Sequence, residues 1–158
     1  LTFTPLIKCE VLTLLLLYTQ KGEIEKQYVA ICDNTPVEKC GTIDAAIIRD
    51  KDSVIRRKIS PDGKRAITKY KVIKEYSDNS CLIELHPITG RTHQLRLHLS
   101  YIGCPIKNDF LYGVQSGNDL MLLHCQRLSF IHPQTNEKLI LEAPLPTYFL
   151  SQQALPLS

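Results

Sequence analysis

Alternating apolar and polar residues predict a strand-rich chain. Two turn sequences, Pro61-Asp62-Gly63 and Asp78-Asn79, flank one alternating segment, so this segment and the next are predicted to pair as antiparallel strands. A later segment predicts a hairpin that turns at residues 133–136. The predicted extended segments are 25–32, 41–50, 65–73, 80–88 and the hairpin 128–146.

A helix is predicted after the fourth of these segments. Leu95, Leu99 and Ile102 recur at helical spacing and form an apolar stripe. Thr92 is placed as the N-cap, and Gly103 is placed just after the C-terminus. The sequence therefore predicts a helix over about 92–102, with this stripe in the core.

Length and composition indicate one soluble domain. The chain has 158 residues, of which 44% are hydrophobic and 22% are charged, which argues against disorder. A less regular apolar segment predicts another helix over 8–20, and several strands with few helices indicate the α+β class. The apolar run 11–18 is too short to span a bilayer, so we expect no membrane association.

Positive charge is concentrated in one segment. Residues 49–74 contain ten basic and three acidic residues, whereas the rest of the chain contains nine basic and thirteen acidic residues. Such a segment is either a solvated hairpin or a surface that attracts a polyanion. Candidate phosphate contacts are Arg56, Arg57, Lys58, Lys64 and Arg65.

The six cysteines form no recognisable framework. None stands in a C-x-x-C pair and no segment makes a convincing secretory signal, so we expect a reducing, cytoplasmic environment. The thiols are then expected to be small buried hydrophobes. Cys125 adjoins His124, but adjacent side chains point apart on a helix or strand. A buried structural cysteine is therefore preferred to a nucleophile at this position.

The polar residues of the predicted helix do not fit a metal site or a nucleotide-binding loop. His93 and His98 diverge by about 140° around a helix, which argues against a shared metal ion. The single glycine of TGRTH does not make a nucleotide-binding loop. Arg91 and Thr92, at the helix start, could bind a phosphodiester of RNA. Arg96 is either a surface arginine lying along the core or one held to pair with a carboxylate or phosphate.

Five motifs, in order, resemble the RluA-type RNA pseudouridine synthases. The longest is TGRTHQLRLHLSYIGCPIKNDFLYG, residues 89–113. It is preceded by EKQYVAI, GTID with IIRD, and RAITKYKVI, and is followed by LLHCQRLSFIHPQTNEKLILEAPLP. Together the matches cover about residues 23–149.

This resemblance implies both a fold and a reaction. The fold is a mixed, mainly antiparallel sheet with a few helices and a central cleft, into which a uridine of RNA is flipped and isomerised. No cofactor or metal is implied. By motif position, Tyr28 stacks on the flipped base, Arg96 pairs with the catalytic aspartate, and Leu123 lines the uracil pocket. Further candidates for contact with the substrate are Arg91, Thr92 and His93.

The chain departs from the family at the nucleophile. The family carries its aspartate in an H-R-L-D-x-x-T-S-G motif before the tyrosine strand, whereas the first aspartate here is Asp33. We therefore expect a poorly matching segment (1–22), a partial catalytic domain (23–149) and a tail (150–158). On this interpretation Asp109 is structural, and Arg96 lacks its carboxylate.

Three hypotheses remain open at this point. The first is an RNA pseudouridine synthase acting on structured rRNA or tRNA, inactive in this form because the nucleophile is missing. The second is a non-catalytic RNA-binding protein that retains the fold. The third is a chain that folds poorly and binds nothing. We expect a monomer with RNA as its partner.

Overall fold

The computed structural model describes residues 24–114, 120–132 and 135–151. The predicted helix over 8–20 lies outside them. No helix of the described residues is long and apolar enough to cross a membrane. The described helices are α1 (Gln94–Tyr101) and α2 (Thr147–Ser151). The described strands are β1 (Glu25–Cys32), β2 (Cys40–Asp44), β3 (Ile47–Arg49), β4 (Arg57–Ile59), β5 (Ile67–Glu75), β6 (Cys81–Pro87), β7 (Leu123–Ile131) and β8 (Lys138–Glu142).

The strands form one large sheet and one small hairpin. The six-stranded sheet has the order β2-β5-β6-β1-β7-β8, and β3 and β4 form a separate two-stranded sheet. Every pairing between described strands is antiparallel. The predicted strand over 25–32, the pairing of β5 with β6 and the C-terminal hairpin are confirmed. These elements confirm the α+β class and the mainly antiparallel sheet.

The predicted extended segment 41–50 is interrupted. The chain leaves the large sheet after β2 and enters the small hairpin at β3, with the Ala45 amide donating to the carbonyl of Ala66 at 3.1 Å. Gly63 lies under this crossing, where a Cβ atom would come within 2.6 Å of the Ile47 backbone. Only glycine fits at position 63. The predicted turn at 61–63 therefore also allows the backbone of β3 to pass close to Gly63.

Apolar residues on both faces of β1 are buried. Ala30 and Cys32 face the side of the sheet that α1 covers, where Leu95 and Leu99 complete the cluster. Val29 and Ile31 face the opposite side and pack against residues including Phe149 of α2. The period of two in β1 therefore assigns alternate residues to two cores. The predicted stripe on α1 is confirmed, with Ile102 partly buried at its end.

The predicted start of α1 is wrong by one residue. His93, not Thr92, is the N-cap, and it adopts a left-handed backbone with φ 59° and no side-chain capping bond. Thr92 is exposed. The predicted end is confirmed, because Gly103 has φ +77° just after the C-cap residue. A left-handed, non-glycine residue at a helix start is strained and is common at functional sites.

The expectation of buried cysteines holds only in part. Cys32, Cys81 and Cys104 are buried in the core, but Cys40 and Cys125 are exposed. Cys40 begins an edge strand, and Cys125 lies beyond the end of β8, whose pairing with β7 begins at Arg127. The prediction of a buried structural cysteine at position 125 is therefore wrong.

Candidate active site

A cavity of about 860 Å³ lies where β1, the loop from β6 to α1, and β7 meet. Its volume is within the range of small-molecule sites. Five of the residues predicted to contact substrate or take part in catalysis line it, and Thr92 does not. The five are Tyr28, Arg91, His93, Arg96 and Leu123.

The side chain of Gln94 shapes the loop that forms one wall. Its Oε1 accepts hydrogen bonds from the Thr89 hydroxyl at 2.7 Å and the Arg91 amide at 2.9 Å. Its Nε2 donates to the carbonyl of Ile67 at 2.9 Å, on β5. Gln94 is 3% exposed, so this buried amide joins the loop to the sheet. Sequence reasoning missed it, although a glutamine next to the core residue Leu95 was a usable signal.

His93 faces the cavity as a neutral imidazole. Its Nδ1 lies 3.0 Å from the Tyr112 hydroxyl. Burial, together with the positive charges of Arg96 and Arg57, lowers the pKa of His93. Near neutral pH the ring therefore contributes hydrogen bonding and shape rather than charge.

Arg96 is paired with a carboxylate of the same chain. Its Nε donates to Oδ2 of Asp109 at 2.8 Å, and its Nη2 donates to Oδ1 at 2.6 Å. The side chain of Arg96 is 12% exposed and that of Asp109 is 0% exposed. The expectation that Arg96 lacks a carboxylate is therefore wrong. The loop after α1 turns back and brings Asp109 against the helix, which helical spacing alone does not indicate.

Asp109 also has the structural role that was predicted for it. Its Oδ1 accepts hydrogen bonds from the amides of Leu111 at 2.9 Å and Tyr112 at 3.0 Å. Burial raises the pKa of Asp109, but the hydrogen bonds from Arg96 and the two amides outweigh burial and lower the pKa overall. The carboxylate is therefore ionised at neutral pH.

Two aromatic rings flank the same guanidinium. The Cζ atom of Arg96 lies 5.2 Å from the ring centroid of Phe110 and 5.3 Å from that of Tyr112. Such cation–π contacts add to the ion pair and restrict the orientation of the group. Phe110 and Tyr112 were not recognised as site residues from the sequence.

Tyr28 lies in the middle of the sheet, opposite Leu85 on β6 and Cys125 on β7. The pairing of β1 with β7 shifts register between Gln27 and Tyr28, and such a bulge re-aims the side chains next to it. Burial and the adjacent Cys125 thiol raise the pKa of Tyr28, so the phenol is neutral. Leu123, opposite Ala30, is partly buried against the core cluster. The two side chains give the cavity an aromatic and an aliphatic wall.

The lining contains one carboxylate among the described residues. It belongs to Glu25, whose side chain is 78% exposed and lies 3.5 Å from the Lys138 ammonium. No aspartate of the described residues lines the cavity. A buried nucleophilic carboxylate is therefore not provided by this part of the chain.

The basic segment, residues 49–74, begins at the end of β3 and covers β4, the turn after it and most of β5. Arg56 and Lys58 are exposed, and Arg57 is half-buried, with its amide donating to the Tyr112 hydroxyl at 2.8 Å. Lys64 and Arg65 are exposed. The carboxylates of Asp44 and Asp50 lie 3.1 Å from Arg65 and 3.5 Å from Lys58.

A family model described as RNA pseudouridylate synthase matches residues 9–101. A Bacillus subtilis protein named uncharacterized RNA pseudouridine synthase YjbO is 40% identical over 128 residues, which are 80% of this chain and 45% of that protein. The ribosomal large subunit pseudouridine synthase C of Rickettsia prowazekii is 41% identical over 129 residues, 78% of this chain and 43% of that protein. The chain thus spans less than half the length of these curated relatives.

Solved structures agree with the fold. Human RNA pseudouridylate synthase domain containing 1 superposes with a TM-score of 0.75 at 28% identity, over 90% of this chain and 64% of that one. Human RNA pseudouridylate synthase domain containing 4 gives 0.71 at 25% identity, over 89% and 65%. The chain belongs to the RNA pseudouridylate synthase family.

Proposed function

We propose that these residues form the base-binding and arginine-bearing part of an enzyme that isomerises uridine in RNA to pseudouridine. One observation carries the proposal: a single cavity brings together Tyr28 from β1, Arg96 from α1 and Leu123 from β7. The family resemblance assigns these three residues to the flipped base and the catalytic aspartate. The aspartate itself is not among the described residues that line the cavity.

The reaction needs side chains that hold the uracil base and one nucleophilic carboxylate, and it involves no change of oxidation state. The N1–C1′ bond of uridine breaks, a C5–C1′ bond forms, the C5 proton leaves to water and N1 is left protonated. The Tyr28 ring offers a flat face to the uracil, and Leu123 offers an apolar wall. Arg96 keeps the nucleophilic carboxylate ionised and oriented.

RNA is the substrate that suits the surface beside the cavity. Arg56, Lys58 and Lys64 are exposed on or next to the hairpin, where they can contact phosphates without reading sequence. Ribosomal RNA is the first candidate, because several relatives are named as synthases of the large ribosomal subunit. Transfer RNA is the second candidate.

The test is release of tritium from uridine labelled at C5, because the isomerisation replaces the C5–H bond by a C5–C1′ bond. We expect the full-length protein to release it from ribosomal RNA transcripts, and the Arg96→Gln variant of the same protein to be inactive. The matched control is Lys39→Gln, which changes an exposed cation outside the cavity lining. Full-length protein that binds RNA without releasing tritium would instead support a non-catalytic RNA-binding protein.

A further inference from the structure

We propose that Asp109 is a positioning residue for the reaction, holding Arg96 so that one edge of its guanidinium faces the cavity. The proposal rests on the proposed function, because it assigns Asp109 a part in the same chemistry. It goes beyond the structural role of Asp109 in its loop. Asp109 itself does not line the cavity and acts only through Arg96.

The hydrogen bonds of Arg96 divide its guanidinium into two edges. Nε and Nη2 point to the two oxygens of Asp109, at 2.8 and 2.6 Å. Nη1 forms no hydrogen bond with any described residue, while Arg96 lines the cavity. The donors that remain for a substrate or a catalytic carboxylate are therefore those that Asp109 does not use.

Asp109 can impose this orientation because it cannot itself move. It is 0% exposed, and its Oδ1 accepts two backbone amides in addition to Arg96. Its own amide donates to the carbonyl of Ile106 at 3.1 Å, and its carbonyl accepts from the amide of Gly113 at 2.9 Å. A carboxylate fixed from both the side chain and the backbone is a rigid support for the arginine.

The charge of the Asp109–Arg96 pair separates two roles for Arg96, an oriented hydrogen-bond donor and a positive charge that only attracts RNA. The ionised Asp109 balances the charge of Arg96, so the pair presents oriented N–H donors more than an isolated positive charge. Without Asp109 the positive charge of Arg96 would remain, but the orientation of its guanidinium would no longer be fixed. The loss should therefore appear in the rate of the chemical step rather than in RNA binding.

The decisive variant is Asp109→Asn in the full-length protein. The asparagine Oδ1 can still accept the amides of Leu111 and Tyr112, whereas its NH₂ group would meet the donors of Arg96. We expect the single-turnover rate at saturating RNA to fall about 100-fold, with the dissociation constant for RNA within about threefold of wild type. Asp78→Asn, at an exposed aspartate outside the cavity lining, is the matched control and should retain the rate.

A wild-type rate in Asp109→Asn would overturn the proposal. So would a loss confined to RNA binding. If Asp109→Asn does not fold, Arg96→Lys decides, because lysine retains the charge but cannot form the side-on pair. A wild-type rate in that variant would equally overturn the proposal.

A spectroscopic measurement separates this proposal from the proposed function. In ¹⁵N spectra, rotation of the Arg96 guanidinium about Nε–Cζ should be slow in wild type and fast in Asp109→Asn. If the full-length wild type is inactive on every RNA, the proposed function fails, and this measurement still shows whether Asp109 immobilises the arginine. Fast rotation in the wild type would overturn the positioning role directly.

Discussion

At the scale of single residues, Arg96 is held by more interactions than any pattern in the sequence indicates. Its partner, Asp109, is 0% exposed and would be left as an unpaired buried charge if the arginine were removed. Without the structure, a missing partner would instead predict that an apolar residue at position 96 stabilises the chain. The pair reverses that expectation, because breaking one half of a buried ion pair is strongly destabilising.

We therefore expect Arg96→Met to lower the free energy of unfolding of the 158-residue chain by about 3–5 kcal/mol. Urea denaturation at neutral pH measures this. Arg91→Met is the control, because Arg91 is exposed and its Nε donates to a single backbone carbonyl, that of Arg65, among the described residues, so its change should stay below about 1 kcal/mol. Equal or greater stability of Arg96→Met would show that the ion pair contributes nothing.

His98 predicts a loss of stability in mild acid. It is 0% exposed, its Nδ1 accepts from the Thr68 hydroxyl at 2.9 Å, and its Nε2 donates to the carbonyl of Ala45 at 3.0 Å. The Thr68 hydroxyl is directed to Nδ1 because its oxygen already accepts from Gln94. Burial lowers the pKa of His98, so the folded state stays neutral while the unfolded state takes up a proton.

The contribution of neutral His98 to the free energy of unfolding should therefore be fully present above the unfolded pKa of about 6.5. Below that pH the free energy of unfolding should decrease, by at most about 1.4 kcal/mol per pH unit for one proton. Unfolding by urea at about pH 7.5 and about pH 5.5 measures the change. His98→Gln retains one donor and one acceptor without titrating, so its slope should be smaller. The pKa of His93 is also lowered, and His93 accounts for part of what remains. An identical slope in the variant would exclude His98 as the cause.

At the scale of elements, the basic hairpin should govern the salt dependence of RNA binding. We expect the combined Arg56, Arg57 and Lys58 to alanine variant to flatten the plot of log affinity against log salt by about 0.7–0.9 for each lost phosphate contact. Fluorescence anisotropy over a salt series measures the slope. Alanine at Lys39 and Lys138, which lie outside the basic segment and do not line the cavity, is the control, with the change in slope compared for each charge removed. An unchanged slope in the hairpin variant would favour the solvated-hairpin hypothesis.

Tyr112 connects that hairpin to the cavity. Its hydroxyl accepts the Arg57 amide at 2.8 Å and lies 3.0 Å from Nδ1 of His93. Tyr112→Phe keeps the ring beside Arg96 but removes this connection, so the Arg57 amide should exchange with solvent several-fold faster, corresponding to about 1 kcal/mol. Hydrogen exchange measured by NMR tests this, with the exposed Tyr101→Phe as control. Unaltered exchange at Arg57 would show that the hydroxyl does not hold the hairpin.

At the scale of the whole molecule, the 158-residue chain should bind RNA but release no tritium from C5-labelled uridine. The cavity and the basic hairpin lie within the described residues, whereas no described aspartate lines the cavity. Binding and turnover measured on the same RNA check both halves of this prediction. Turnover by the short chain that disappears when one of its own aspartates is changed would show that the nucleophile has been misplaced.

Local periodicity was enough to predict much of the fold. The strands β1, β5 and β6, the β7–β8 hairpin and the buried stripe of α1 follow from spacings of two and of three to four residues. The ordered motifs also identified the family. These features were predictable because each depends on residues close together in the chain, whose side chains must share one face.

The contacts between distant segments were decided only by the tertiary structure. The backbone is left-handed at His93 and Asn108, and these bends direct the loops that bring Gln94 onto β5 and Asp109 onto Arg96. A repeating pattern shows which face of an element is buried, but not which side chain of another element lies against it. By itself, the sequence determined β1, β5, β6, the β7–β8 hairpin, the buried stripe of α1 and the family. The partner of Arg96, the exposure of Cys125 and the shape of the cavity depend on where the loops place their side chains in three dimensions.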